Sequence, residues 1–166
     1  MSMIYIGIDP GLKGGIAVFD TTEGFLRVDR TPLIRKKDAK DQFDIPGMVA
    51  LLDYPSDRVK VTIEQVGARP GQGVTSMFRF GFGLGIWHGI IVTRGFELLT
   101  VTPQKWKGHY QLDAEKESAR AKANEMFPRC QGRWKLKKHD GLFEAALIGH
   151  YGLSLDHHNM LDPDPA

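Results

Sequence analysis

At 166 residues with 42% hydrophobic content, the chain has the size and apolar content of one domain with its own core. Its 22 Lys and Arg against 20 Asp and Glu leave a formal charge of +2, which neither demands nor excludes a nucleic-acid partner, so the distribution of charge matters more than the total. The single cysteine, Cys130, excludes a disulfide framework and a cysteine-based zinc site; with no secretory h-region and no apolar run of membrane-spanning length, a cytoplasmic protein without membrane association is the expectation.

Residues 3–8 read as a strand that ends at Asp9, and Pro10, Gly11, Gly14 and Gly15 supply the turn into a second strand over 16–19. Residues 25–28 add a third strand, making a meander. The charged stretch 35–41 reads as a surface loop, and Asp44 caps a helix over 45–54 with Pro46 in its first turn, where a missing N–H is harmless. The β-branched run 59–63 predicts a central strand covered on both faces and closed by Glu64. After a glycine-rich loop over 68–73, a helix is expected from Thr75 or Ser76 to about Arg94. Gly81, Gly85 and Gly89 recur on it at i, i+4, with Phe78, Phe82 and Ile86 alongside. Each helical glycine costs about 1 kcal/mol relative to alanine, so the ridge implies close approach of another backbone, either the chain's own sheet or a second subunit. A strand over 96–101 stops at Thr102 and Pro103, Asp113 caps a helix over 114–127, and a lysine-rich loop leads to a last helix over 140–151. From Leu153 onward the composition predicts a flexible tail, which leaves residues 1–152 as the domain. The order of elements predicts an α/β fold, a mixed sheet with helices on both faces.

Asp9 and Glu64 close two apolar strands and Asp140 opens an apolar helix that also carries Glu144 one turn later. Each acid by itself reads as a turn former, a lysine partner or a helix cap. Together, at separations too large for a local ion pair, they imply a cluster of carboxylates needing a cation, since converging buried acids repel one another. Hard oxygen ligands suit Mg²⁺, and a pair of such ions serves phosphodiester hydrolysis. Between Lys105 and Lys138 bases outnumber acids, a pattern that a solvated helix face explains equally well. Trp106 and Trp134 are expected to pack against the domain rather than stack on bases.

Five segments, in order, resemble the RuvC-type Holliday junction resolvases, particularly their phage-encoded branch. They are Ile6-Gly7-Ile8-Asp9-Pro10-Gly11 with Gly14-Gly15, Ile63-Glu64-Gln65-Val66, Pro70-Gly71-Gln72-Gly73-Val74, Val101-Thr102-Pro103 with Trp106-Lys107, and His139-Asp140-Gly141 with Glu144-Ala145-Ala146-Leu147. The resemblance implies a ribonuclease H-like fold and a homodimeric, Mg²⁺-dependent endonuclease, with Mn²⁺ as a substitute and two ions per site, that nicks two strands of a four-way DNA junction in the cytoplasm of a bacterial host. It places the catalytic and metal-binding acids at Asp9, Glu64, Asp140 and Glu144. The last departs from the family's commonest pattern, an aspartate at shorter spacing. Arg69, Gln72, Lys105, Lys107, Arg133, Lys135, Lys137 and Lys138 are the expected DNA contacts, and Phe78, Gly81, Phe82 and Gly85 the expected dimer contact.

Two other functions fit parts of the pattern. The Asp9 turn resembles the nucleotide phosphate turn of actin-like ATPases, which close two such lobes around their ligand where this chain has one. A junction-binding protein that has lost catalysis fits the departure at Glu144.

Overall fold

The computed structural model describes residues 2–65, 67 and 70–161, with 25, 26 and 157–161 described by backbone alone. In chain order the elements are β1 (Ile4–Asp9), β2 (Gly15–Asp20), β3 (Gly24–Arg30), β4 (Leu33–Ile34), β5 (Gln42–Phe43), α1 (Ile45–Leu51), β6 (Val59–Glu64), α2 (Val74–Thr93), β7 (Glu97–Val101), α3 (Pro103–His109), α4 (Lys116–Met126) and α5 (Asp140–Leu161). The sheet order is β3-β2-β1-β6-β7. β1 runs antiparallel to β2, with Asp9 opposite Gly15, and parallel to β6, with Ile8 opposite Ile63; β6 and β7 are parallel. This is the mixed sheet with helices on both faces that the element order predicts.

Strand alternation sorts the side chains into two cores. Ile4, Ile6 and Ile8 of β1 join Val61 and Ile63 of β6 in a layer with Met48 from α1 and Trp87 and Ile91 from α2. On the opposite face Tyr5, Ala17 and Phe19 pack with Trp106 of α3, Ala119 and Ala123 of α4, and Phe143 and Leu147 of α5. Trp134 is buried there too, and its Nε1–H donates to Asn124 Oδ1 at 2.8 Å, so both tryptophans pack into the domain.

Helix α5 lies directly on the sheet because glycines remove the side chains between them. A Cβ at Gly7 would be driven into the backbone of Ala145 and Gly149, one at Gly141 into the turn at Lys13 and Gly14, and one at Gly152 into Thr62. These contacts fix the helix in register, so that Asp140 starts over the turn that follows β1. The helix also runs on through Leu161 instead of ending at Tyr151. Asp156 is the reason: it accepts a hydrogen bond from Tyr5 Oη at 2.6 Å and pairs with Lys60 Nζ at 2.8 Å, which ties polar residues of the expected tail to β1 and β6.

Three further differences are local. Pro103 starts α3 as its first residue instead of merely ending β7, a short helix whose seven residues are too few for a clear periodic signal. Helix α4 begins two residues later than expected; Asp113 still organises that end by accepting from the Glu115 N–H at 2.8 Å and Ser118 Oγ at 2.6 Å. On α2, a Cβ at Gly81, Gly85 or Gly89 would meet open space, which removes the chain's own sheet as the reason for the ridge. Phe78 and Phe82, on the same side, are 72% and 54% exposed.

Candidate active site

Asp9 and Glu64 reach the same face by the period-two rule. Asp9 follows Tyr5 and Gly7 on the side of β1 that meets α5, and Glu64 follows Lys60 and Thr62 on the corresponding side of β6. Helix α5 brings Asp140 and, one turn on, Glu144 over the ends of those strands. Helix α4 packs beside α5 through Ala119 and Ala123 and contributes two cations. Lys116 Nζ lies 3.1 Å from Glu144 Oε2 and 3.8 Å from Asp140 Oδ2. Arg120 Nη2 donates to Asp140 Oδ1 at 3.0 Å, with its guanidinium 5.5 Å from the centre of the Phe143 ring. On the other side Trp106 Nε1–H donates to Glu64 Oε1 at 2.7 Å.

The acids act on one another. Burial first, then the charges of Glu144, Glu64 and Asp140, push the Asp9 carboxyl well above the usual aspartate range, with Lys116 opposing them. Glu64 is also raised, chiefly by burial and further by Glu144, against the Trp106 hydrogen bond and the charges of Lys107 and Lys116. Burial disfavours the Lys116 ammonium, yet Glu144, Asp9 and Asp140 outweigh it and raise its affinity for the proton. The carboxylates therefore repel one another, and Lys116 offsets part of that repulsion.

A cleft of about 500 Å³ opens over this cluster, lined by Asp9, Asp140, Lys13, Lys116, Lys137 and Lys138 together with the glycines of the β1–β2 turn. Among the described residues, no three Asp, Glu, His or Cys side chains are gathered closely enough to form an ion-holding group as placed; the Lys116 ammonium sits between the acids instead. In donor chemistry the residues fit a divalent cation: every candidate ligand is a carboxylate oxygen, the type Mg²⁺ prefers.

Of the expected DNA contacts, Lys137 and Lys138 line the cleft, and Lys107 stands next to Glu64 with its ammonium 5.5 Å from the centre of the Trp106 ring. Lys105 and Lys135 are exposed outside its wall. Arg133 turns away from the cleft and donates to the Val28 carbonyl at 3.1 Å, so it fastens the loop to β3 instead of flanking the acids. Gln72 borders a separate hollow against α2 with Met77, Phe80 and Leu84, and Arg69 lies outside the described residues. Sequence reasoning missed Lys116, Arg120 and the Trp106 hydrogen bond as parts of the site. The i, i+4 spacing of Lys116 and Arg120 beside the small residues Ala119 and Ala123 was the signal available for the two bases.

No family model matches the sequence, and no curated protein matches it either. Solved structures do match. RuvC of Thermus thermophilus in complex with a Holliday junction substrate superposes with a TM-score of 0.61 at 13% identity, covering 92% of this chain and 96% of that one. A second structure of Thermus thermophilus RuvC gives 0.55 at 16% identity over 93% and 97%. The fowlpox virus Holliday junction resolvase gives 0.54 at 15% identity over 92% and 99%. The chain thus has the ribonuclease H-like fold of the RuvC-type junction resolvases.

Proposed function

We propose that the chain is a divalent-metal-dependent endodeoxyribonuclease that nicks four-way and related branched DNA as a homodimer. The observation that carries this reading is the convergence of Asp9, Glu64, Asp140 and Glu144, from three separate elements, within electrostatic reach of one another beside a cleft that Asp9 and Asp140 line together with lysines. These four carboxylates would hold the metal. When bound, a pair of Mg²⁺ ions supplies an activated water and stabilises the leaving oxygen of the phosphodiester. Trp106 fixes the Glu64 carboxylate by its N–H and Arg120 fixes Asp140, so two of the acids are oriented before any ligand arrives. Lys116 is the acids' counter-charge within the chain, and Lys13, Lys137 and Lys138 hold the strand by its phosphates. The homodimer reading rests on α2, where exposed Phe78 and Phe82 flank Gly81 and Gly85, residues with open space above them for a second backbone. Phe82→Arg would convert the dimer to monomers in sedimentation; unchanged sedimentation would remove α2 from the interface.

The deciding experiment uses a synthetic four-way junction with each strand labelled in turn, beside a linear duplex of the same sequence, in Mg²⁺ and in EDTA. Paired nicks in the junction alone, dependent on Mg²⁺, are expected. Equal cutting of the linear duplex, or none in either metal condition, would overturn the reading. One observation favours a junction-binding protein without catalysis, the ammonium of Lys116 between the acids. Tight junction binding with no nick in Mg²⁺ or Mn²⁺ is the result that reading requires.

A further inference from the structure

Behind the β1–β2 turn lies a second hollow, of about 330 Å³, that shares Lys13, Gly14 and Lys138 with the wall of the acidic cleft. Its chemistry is the reverse of the cleft's. Among the described residues six cationic side chains line it, Lys13 from the turn, Arg30 from the end of β3, Arg35 and Lys40 from the β4–β5 hairpin, Arg79 from α2 and Lys138 from the turn before α5, against one acid, Asp41. That acid is already engaged: Arg35 Nη1 donates to its Oδ2 at 2.7 Å, while Arg79 Nη2 donates to its carbonyl at 2.6 Å. Lys13, Arg30, Lys40 and Lys138 have no carboxylate partner among the described residues. Thr31 is 3% exposed, lines the same hollow, and its Oγ1 is buried without a hydrogen-bond partner.

Solvated lysines on a surface need no explanation, but these bases come from five separate segments and surround one concavity. Like charges held together repel unless an anion lies between them, and a buried hydroxyl without a partner costs free energy until an acceptor reaches it. No aromatic side chain among the described residues lines the hollow, so it offers no platform for a base. We infer that this hollow is a second phosphate site, which takes a backbone phosphate of the DNA strand flanking the one positioned for cutting. The inference rests on the nuclease reading for the identity of the strand. The Arg79 and Arg35 contacts to Asp41 hold the hairpin in place, so the small β4–β5 ladder closes the site as one wall. Contacts of this kind fix the register of the strand in the cleft without reading its sequence.

The test is fluorescence anisotropy of the full chain with labelled four-way junction and linear duplex, across a salt series in EDTA. Replacing Arg30→Gln with Lys40→Gln should flatten the plot of log affinity against log salt by about one unit for each cation removed from a phosphate, on both DNAs. The pair Lys36→Gln with Lys37→Gln, exposed on the same hairpin loop but outside the hollow, should leave the slope unchanged. Lys40→Glu, a charge reversal at an exposed position, guards against a variant that fails to fold and should weaken binding in the same direction. A wild-type slope in the Arg30 and Lys40 variant, or equal flattening in the Lys36 and Lys37 control, overturns the site. A wild-type chain that shows these slopes yet leaves junctions uncut in Mg²⁺ loses the nuclease reading while the phosphate site stands. Absence of any affinity for DNA overturns both.

Discussion

The two faces of β1 are made by the same six residues and are used in opposite ways. On the even face Ile4, Ile6 and Ile8 interlock with α1 and α2, and every side chain is apolar and buried. On the odd face Tyr5 is followed by Gly7, which admits the backbone of α5, and then by Asp9, whose carboxyl is held among three other acids. One face supplies stability by burial. The other accepts a bare backbone contact and a cluster of repelling charges, a local conflict of the kind that marks functional sites. The candidate site thus sits at the end of a strand whose remaining residues hold the domain together.

The sharpest way to break this division is to neutralise the odd face. Asp9→Asn should reduce junction nicking in Mg²⁺ by about a thousandfold or more, equivalent to several kcal/mol of lost metal-assisted stabilisation, while junction affinity in EDTA is not reduced. Cutting by this variant at the wild-type rate would separate Asp9 from the chemistry. The next test sets the faces against each other by denaturant unfolding. Gly149→Val, which forces a side chain into Gly7, should cost about 3 kcal/mol, whereas Ile6→Val on the other face should cost about 0.5–1.5 kcal/mol. Equal effects would show that α5 does not depend on the bare contact.

The charge conflict has its own signature. Asp9 and Glu64 bind their protons more tightly when folded, so the stability they contribute is complete below the ordinary carboxylate range, near 3.8 for Asp9, and is lost as pH rises through their raised folded values. Thermal unfolding of the wild type in EDTA should therefore fall in midpoint as pH rises from acid toward neutral. Asp9→Asn should flatten that fall, with about 2–4 °C recovered for each kcal/mol of repulsion relieved. At neutral pH, Mg²⁺ should raise the midpoint of the wild type and not that of the variant, a readout independent of cutting. A rising midpoint from acid to neutral in EDTA would contradict the repulsion. The smallest expected effect belongs to Trp106→Phe, which keeps the buried ring and removes the N–H from Glu64. Losing about 1.5 kcal/mol of hydrogen bonding to the carboxylate should move the acid limb of the nicking profile upward by about one pH unit. An unmoved profile would reduce Trp106 to packing alone.

Legibility in the sequence followed how local each signal was. The strand ending at Asp9 and the strand ending at Glu64 were readable because apolar runs met a glycine turn or a glycine-rich loop within a few residues. Helix α5 was readable at its start and not at its end, because Asp156 looks like a tail residue until Tyr5 and Lys60 come next to it. The glycines were visible, but not which of them the chain's own packing requires. Periodicity drew attention to Gly81, Gly85 and Gly89, which face open space, while Gly7, Gly141 and Gly149 make the close contacts from isolated positions in two elements. Arg133 looked like part of a basic rim only because it is near Lys135 and Lys137 in the chain; in space it belongs to β3.

By itself the sequence determined the alternating pattern of β1, the α/β order, the packing role of both tryptophans and which four acids could meet, since these depend on residue type and period. Only the tertiary structure decided what surrounds those acids. Lys116 and Arg120 enter the site because α4 packs on α5, Trp106 reaches Glu64 because Glu64 pairs with Val101 at the end of β7 and α3 follows that strand, and a basic hollow forms where the β1–β2 turn, the end of β3, the β4–β5 hairpin, α2 and the turn before α5 converge. Electrostatic interactions fall with distance through space and not along the chain, so a charge's partners are unknown until packing brings the elements together.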